Sequence, residues 1–565
     1  LQITTTATSN IGLGANAVNS ITTGDYNVGL GDNAGTAITT GTENVAMGFE
    51  ALKTHTTGHS NVAIGQEALE NNTTASNNTA VGTKSLRANT TGTELTAVGS
   101  SAGLANTTGT RLTAIGFEAG KANTTGVENT FIGRKAGLAN TTAANNTVVG
   151  SFAFAANTTG ANNVAIGKSS LTANTTGVSN VAVGLQSLDA NTTGNSNVAL
   201  GTSALGSNTT ASNNTAVGHD SLTANTTGGY NVAIGKDSLK SNTTASGNVA
   251  VGVDALETNT TGTTNTGVGT AALKDNTTGG QNTAMGYEAL ANNTTAASNT
   301  SIGYASMLAN TTGANNTAVG RQALTSNTTA SNNTAVGMSA LILNTGGENT
   351  AVGKDALKAN VGANANTAIG FGAGDAVNTG GVNTFVGLYA GAYTDPTQAG
   401  ARNIMMGAYA HANGASVDDA HGFGYDISCG TGHTTVGKGS ADSRLQFGST
   451  NWNVVSDERY KKDIVDSTAG LSFVNALQPK TFKYKNLGEL PATFNAYKAD
   501  STEVFKNSNT NHGFIAQEVK AAIDADSSIK DGFRMWDDRE DGSQEVGEAA
   551  LIPVLVKAIQ ELSTK

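Results

Sequence analysis

A glycine preceded by an aliphatic residue recurs every 17 residues, from Gly14 through Gly31, Gly48 and Gly65 to Gly337, without a break over 20 glycines. The step then slips to 16 at Gly353, returns to 17 at Gly370 and Gly387, and stretches to 20 at Gly407. A fixed short period of this kind is the mark of a repeat architecture, in which each unit buries its apolar face only against its neighbours. Seventeen residues are too few for a hairpin of two long helices. They suit one coil of a parallel β-solenoid, built from two short strands and two turns. The first half, as in Asn78 to Gly82, alternates with period two like a half-buried strand. The second half, Ala/Ser-Leu-x-x-Asn-Thr-Thr-Gly/Ala, carries turn chemistry, because asparagine and glycine tolerate positive φ. One helical turn over Ala-Leu-x-x-Asn is the alternative for that half. Stacked at the spacing of adjacent strands, twenty coils make a rod of roughly 95 Å.

The residue between the two aliphatic or threonine positions of each strand is nearly always alanine. We assign the aliphatics to the coil interior and the alanine to a surface facing another chain, since solvent gives no reason to stay small. The large exceptions in the alanine row are Phe131, Val148, Phe385 and Met405, and the preceding coil's leucine has become Gly120, Gly137, Gly374 and Gly391 respectively. The converse fails at Gly35 and Gly103, which are followed by Ala46 and Ala114. Volume exchange in one packed layer accounts for the pairing, and the expectation is that this layer lies between subunits, with Phe131 buried there.

The strand unit, as in Asn61-Val62-Ala63-Ile64-Gly65, resembles the head repeats of trimeric autotransporter adhesins, over roughly residues 10 to 410. That resemblance implies a homotrimer of three parallel β-rolls. The adhesins' membrane-anchoring β-barrel has no counterpart in this sequence.

Asn-Thr-Thr recurs sixteen times from Asn72 to Asn327. Each copy is formally an N-glycosylation acceptor, but stacked asparagines bonding along a solenoid explain the row better. A threonine ladder also suggests ice binding, against which the two threonines, being adjacent, point to opposite faces. No calcium-repeat motif and no phosphate loop in a strand-to-helix context is found, so no cofactor and no metal are expected. The chain carries a net charge of −11 and a single cysteine. This argues against a nucleic-acid partner and against a disulfide framework or cysteine-built zinc site. No apolar run is long enough to span a membrane, and the first residues do not read as a signal peptide.

Near residue 450 the composition breaks. Residues 1–455 hold 17 basic and 24 acidic residues, whereas the 110 residues 456–565 hold 14 and 18, and three of the four prolines. A separate small α+β domain is expected there. Its last segment, Ala549 to Leu562, is apolar at helical spacing with Pro553 in the first turn, and a second helix is expected from near Ala516 through Ile523. The domain opens with Ser456-Asp457-Glu458-Arg459-Tyr460-Lys461-Lys462-Asp463-Ile464. Together with Gln478–Tyr484, Gly513–Val519 and Leu551–Leu562, in that order, it resembles the intramolecular chaperone of endosialidase family. Members sit at the C-terminus of phage tail spikes and fibres, assist trimer assembly, and release themselves by autoproteolysis. The resemblance implies cleavage between Val455 and Ser456, with Ser456 as nucleophile and Lys461 as base, a serine-lysine dyad. A serine needs such a base at neutral pH, and a lysine serves once burial keeps it neutral. Asp457 and Arg459 match the motif in supporting or structural roles. His512 is a candidate to orient the dyad, with an ordinary half-buried histidine as the alternative. Members often continue into a longer coiled coil, of which this chain would hold only the start.

Three segments result: a repeat shaft over 1–410, a degenerate tip over 411–455 and the chaperone over 456–565. His411, His421 and His433 fall in the tip with Phe423, Tyr425 and Cys429; a trimer would bring three copies of one histidine together, yet no His-x-His pair is present. The expected function is a homotrimeric phage tail fibre or spike in the virion, joined to other tail proteins at its N-terminus. Its tip would touch a host-surface receptor. Turnover beyond one self-cleavage is not expected. A bacterial cell-surface adhesin with the same chaperone is the alternative. A polysaccharide-degrading spike is disfavoured, because paired acids are needed and only scattered carboxylates such as Glu50, Glu67 and Glu118 occur.

Overall fold

A computed structural model describes residues 7–392, 399–449, 452–454, 458–529, 533, 535–539 and 541–564. It is mainly β, and it divides into two compact units, Leu1–Val455 and Ser456–Lys565.

Unit one is a parallel β-solenoid of 17-residue coils. Twenty-four three-residue strands, β1 (Ile11–Leu13) to β24 (Ile404–Met406), each pair in parallel with the strand one coil on. The register is strict: Thr215, Ala216 and Val217 lie on Val232, Ala233 and Ile234. Identical positions therefore stack at the inter-strand spacing, as the repeat predicts. Each coil has one strand over most of the rod, not two. The second half of the repeat is neither strand nor helical turn but a run of turns that alternates backbone hand. In the coil around Gly65, Ser60, Glu67 and Leu69 have φ of 57°, 56° and 51°. Gly65 itself has φ of +132°, and a Cβ on Gly82 would lie 2.6 Å from the carbonyl of Gly99. The glycine row is thus fixed by left-handed backbone and by backbone stacked on backbone. A second strand enters only near the end, where β25 (His411–Ala412) pairs with β27 (Ser428–Cys429). The main ladder runs on past residue 410 through β26 (His421–Tyr425) and β28 (His433–Lys438). It closes in antiparallel pairings with β29 (Ala441–Gln446) and β30 (Trp452–Val454).

The two strand faces are the reverse of the sequence expectation. The alanine row is the interior of the coil: Ala63, Ala165 and Ala233 are fully buried within the single chain, packed in one cluster with Leu69, Leu171 and Leu239. The aliphatics before the glycines face outward. Ile64, Ile115, Ile166, Ile234, Ile302 and Ile369 are 37–43% exposed and form a line down the rod. The interior is narrow because each strand contributes only three residues, so its middle position has room for one methyl opposite one leucine.

Volume exchange operates inside the chain, so Phe131 is no evidence for a subunit boundary. Phe131 is fully buried. A Cβ on Gly120 would lie 2.7 Å from its ring, and one on Gly137 would collide with the ring's other edge. One phenylalanine fills the space of two leucines, and Phe385 does the same between Gly374 and Gly391. The two failures of the converse obey the same rule with another row. Gly35 makes room for Ile38, whose Cδ1 lies 2.8 Å from the built Cβ, and Gly103 faces Leu86 and Leu112.

Two buried asparagine ladders tie coil to coil. Asn208 donates its amide to Asn191 Oδ1 at 3.0 Å and to the Ala211 carbonyl at 3.1 Å. In the other, the Asn214 backbone N–H donates to Asn197 Oδ1 at 3.0 Å and the Asn214 side chain to the Gly228 carbonyl at 2.9 Å. These asparagines are fully buried, which removes the glycosylation reading. From Thr73 to Thr311 the first threonine of the Asn-Thr-Thr unit spends its hydroxyl on the next coil, as Thr209 Oγ1 does on the Thr226 carbonyl at 3.2 Å. Only the second row, such as Thr210, stands exposed.

In unit two, α1 (Leu471–Ala476), α2 (Ala516–Ala525) and α3 (Ile552–Ser563) accompany two hairpins. These are β31 (Lys480–Phe482) with β32 (Asn511–Gly513) and β33 (Trp536–Asp538) with β34 (Gln544–Val546). Phe473, Val519, Ile523, Met535, Leu551 and Val554 form its core. Pro553 lies in the first turn of α3, as its missing N–H requires. Glu561 of α3 accepts the Leu471 N–H at 2.9 Å and so caps α1.

Replacing Phe131 with alanine is expected to cost about 3–5 kcal/mol through the cavity it leaves. Adding Gly120→Leu and Gly137→Leu to that variant should recover most of the loss. Local amide-exchange free energies around residues 113–153 measure both. No recovery in the triple variant would refute the exchange.

Candidate functional site

The residues implied in release fall at the junction of the two units. Val455, Ser456 and Asp457 lie outside the described residues. A single turn of 3₁₀-helix, Glu458–Tyr460, follows, and the Lys461 N–H closes it onto the Glu458 carbonyl at 2.9 Å. Arg459 and Lys461 are exposed at this turn. His512 is on β32, opposite Thr481, and it too is exposed rather than half-buried.

His512 stands at the rim of a cleft of about 980 Å³ within unit two, which sequence reasoning did not find. Phe482, Tyr484, Phe505 and Trp536 supply its apolar wall, while Lys506, Arg539, Asp541 and Glu548 supply charge. The walls come from segments as far apart as 482 and 548, which is why no local motif announced it. The ring of Tyr484 meets those of Phe482 and Phe505 edge-on at 5.4 and 5.7 Å. Lys520 of α2 sits 5.0 Å above the Trp536 ring. The indole Nε1 of Trp536 and Oε1 of Gln544 are buried without a hydrogen-bond partner. Asp541 accepts the Asn495 N–H at 3.0 Å and the N–H and hydroxyl of Ser543. These bonds, the Asn495 N–H first, hold its carboxyl down at about 2.

Elsewhere the structure brings few chemical groups together. Glu50, Glu67 and Glu118 are taken up in surface ion pairs with Lys53, Arg87 and Lys121. His411 and His433 each bond a backbone carbonyl through Nδ1, those of Tyr409 and Thr431. His421 packs its ring 4.8 Å from Phe447. Among the described residues one group of potential metal ligands lies within 4.8 Å, His219, Asp220 and Asp237. There the Asp237 carboxylate is already paired with Lys236 and Lys240 at 2.8 and 3.0 Å. Among the described residues no helix is long and apolar enough to cross a membrane.

Residues 456–526 match the family model described as chaperone of endosialidase. The chain carries a chaperone of endosialidase domain at its C-terminal end. The match begins at Ser456, where the second compact unit begins. It takes in the Ser456–Ile464, Gln478–Tyr484 and Gly513–Val519 segments, whereas Leu551–Leu562 lies beyond it. A search of curated proteins finds no match to this chain.

The lowered carboxyl of Asp541 sets the acid limit of this loop. Its bonds are expected to be fully present above about pH 4 and to be lost as pH falls through about 2. At neutral pH, Asp541→Ala should speed amide exchange at Asn495 and Ser543 by about tenfold. Unchanged exchange would contradict the assignment.

Proposed function

We propose that this chain is a trimeric phage tail fibre or spike protein whose C-terminal unit aligns three copies and is then cut away. The observation that carries the reading is the joining of a chaperone of endosialidase domain to a solenoid of near-identical coils. A rod of identical rungs has no intrinsic register, because a slip by one coil restores the same contacts. A domain that holds three chains together raises their mutual concentration and starts them in line.

Two apolar surfaces support self-association. The outward aliphatic row, with Ile64, Ile234 and Ile369 37–43% exposed, is a continuous apolar line along the rod, whereas apolar side chains scattered singly are usual on a monomer. On α3, Ile552, Leu555, Ile559 and Leu562 are 42–64% exposed. They fall at the a and d spacings of a helical seam, while Val554 and Ala558 are the buried side. Both surfaces suit further copies of the same chain, and the row on the shaft replaces the alanine row as the proposed subunit contact.

Release follows serine-lysine chemistry. Lys461, serving as base once assembly covers it, takes the Ser456 hydroxyl proton as Oγ attacks the Val455 carbonyl carbon. The peptide nitrogen of Ser456 leaves with a proton from Lys461, and an ester joins Val455 to Oγ. Water then hydrolyses the ester, leaving a carboxylate on Val455 and a free amine on Ser456. Once the aligning unit has gone, reassembly has no template, and the rod is held by the height of its unfolding barrier. Residues 411–455 then form the distal end and meet the host surface.

Ser456→Ala and Lys461→Met should each leave an uncut chain of 56.5 kDa, whereas the parent should end at Val455. Intact mass reads both, and normal cleavage in either variant overturns the dyad. Ile559→Asp, which charges the seam, should leave the chains unassociated by light scattering. An unchanged assembly in that variant would remove α3 from the argument.

A further inference from the structure

The first asparagine ladder does not begin with an asparagine. Its row reads Ile21, Ile38, His55, Asn72, Asn89 in successive coils. Ile21 and Ile38 form a small apolar cluster with Val18, separate from the main core. His55 is fully buried between that cluster's row and the first rung. Its Nε2–H donates to the Gly58 carbonyl at 2.8 Å, and its Nδ1 accepts from Asn72 Nδ2 at 3.0 Å.

The surroundings fix this tautomer. The carbonyl of Gly58 can only accept, so Nε2 carries the proton. Asn72 must present its amide N–H to the ring, because its Oδ1 accepts from Asn89 at 2.9 Å. Nor can Asn72 turn over, since its Nδ2 also donates to the Ala75 carbonyl at 3.2 Å and the next rungs, Asn89 and Asn106, repeat that pair of bonds. The ladder therefore has one polarity along its length, and it ends on a single lone pair of one neutral imidazole. A second ring proton, on Nδ1, would set N–H against the Asn72 amide N–H in a fully buried site.

We propose that His55 is an acid-sensitive joint, whose protonation releases the first asparagine rung and loosens the N-terminal coils while the coils beyond stay closed. Burial disfavours the imidazolium and lowers the ring's affinity for a proton, more than the backbone of Gly58 and of Asn72 offsets. His59, exposed and four residues on, adds a like charge that acts in the same direction. The acidic and basic groups of the neighbouring coils, Glu43, Glu50, Lys53, Glu67 and Glu70, lie at exposed or half-buried outer positions. A histidine that binds its proton more weakly folded than unfolded contributes stability above its unfolded value, near 6.5. That contribution is lost as pH falls below it.

Amide exchange of the whole protein, corrected for the chemical pH dependence of exchange, tests this at about pH 7.5 and about pH 5. Residues 28–75 should lose about tenfold in protection at the lower pH, while residues 150–330 should hold theirs within about twofold. His55→Asn, which extends the ladder by one rung, should fold and lose the acid response, and His59→Gln should keep it. An acid response that is absent from the parent, that persists in His55→Asn, or that vanishes in His59→Gln overturns the proposal.

Discussion

The contact on which the rest of the solenoid depends is the packing of one strand residue against one turn leucine inside each coil. With three residues per strand, the interior admits a methyl opposite an isobutyl group and little else. That single limit sets the alanine row and forces glycine into the leucine position wherever a phenylalanine enters the alanine row. It also turns the bulkier aliphatics outward. Hydrogen bonds then lock what the packing selects. Along most of the rod each buried asparagine bonds the coils on both sides, as Asn208 does with Asn191 and Asn225, so a rung that leaves strands another. The glycine row closes the coil by bringing backbone onto backbone, where no side chain fits.

The period, the parallel stacking, the asparagine ladders and the boundary region near 450 were all legible, because each repeats at a fixed offset or marks a step in composition. The pairing of Phe131 with Gly120 and Gly137 was legible as volume exchange. Its location was not: a position that must stay small is equally required by a subunit contact and by a narrow coil, and only the coil's width decides between them. The second strand was misjudged because the turn half keeps an apolar leucine at regular spacing. Yet that leucine is held in left-handed backbone, a conformation that alternation does not report. In the C-terminal unit the helices over 516–525 and 552–563 followed from their apolar stripes. The cleft at His512 did not, since its walls meet only through the pairing of β31 with β32 and β33 with β34.

The two halves of the chain answer complementary needs. The shaft gains stiffness from repetition, and repetition removes the differences that would tell three copies how to line up. The C-terminal unit is the opposite, charge-rich and irregular, with an exposed seam of Ile552, Leu555, Ile559 and Leu562 on its last helix. On the proposed reading, a unit that is cut away places the information about register where it is needed during folding and nowhere in the finished rod. In the proposed trimer the outward aliphatic line would become the interior of the assembly, and the rows of threonine and of paired charges its surface.

The native mass of the purified protein at equilibrium, by sedimentation, tests that account most directly. Three chains per particle, unchanged on dilution, is the predicted result. A single chain per particle, with the line from Ile64 to Ile369 left in water, would contradict it.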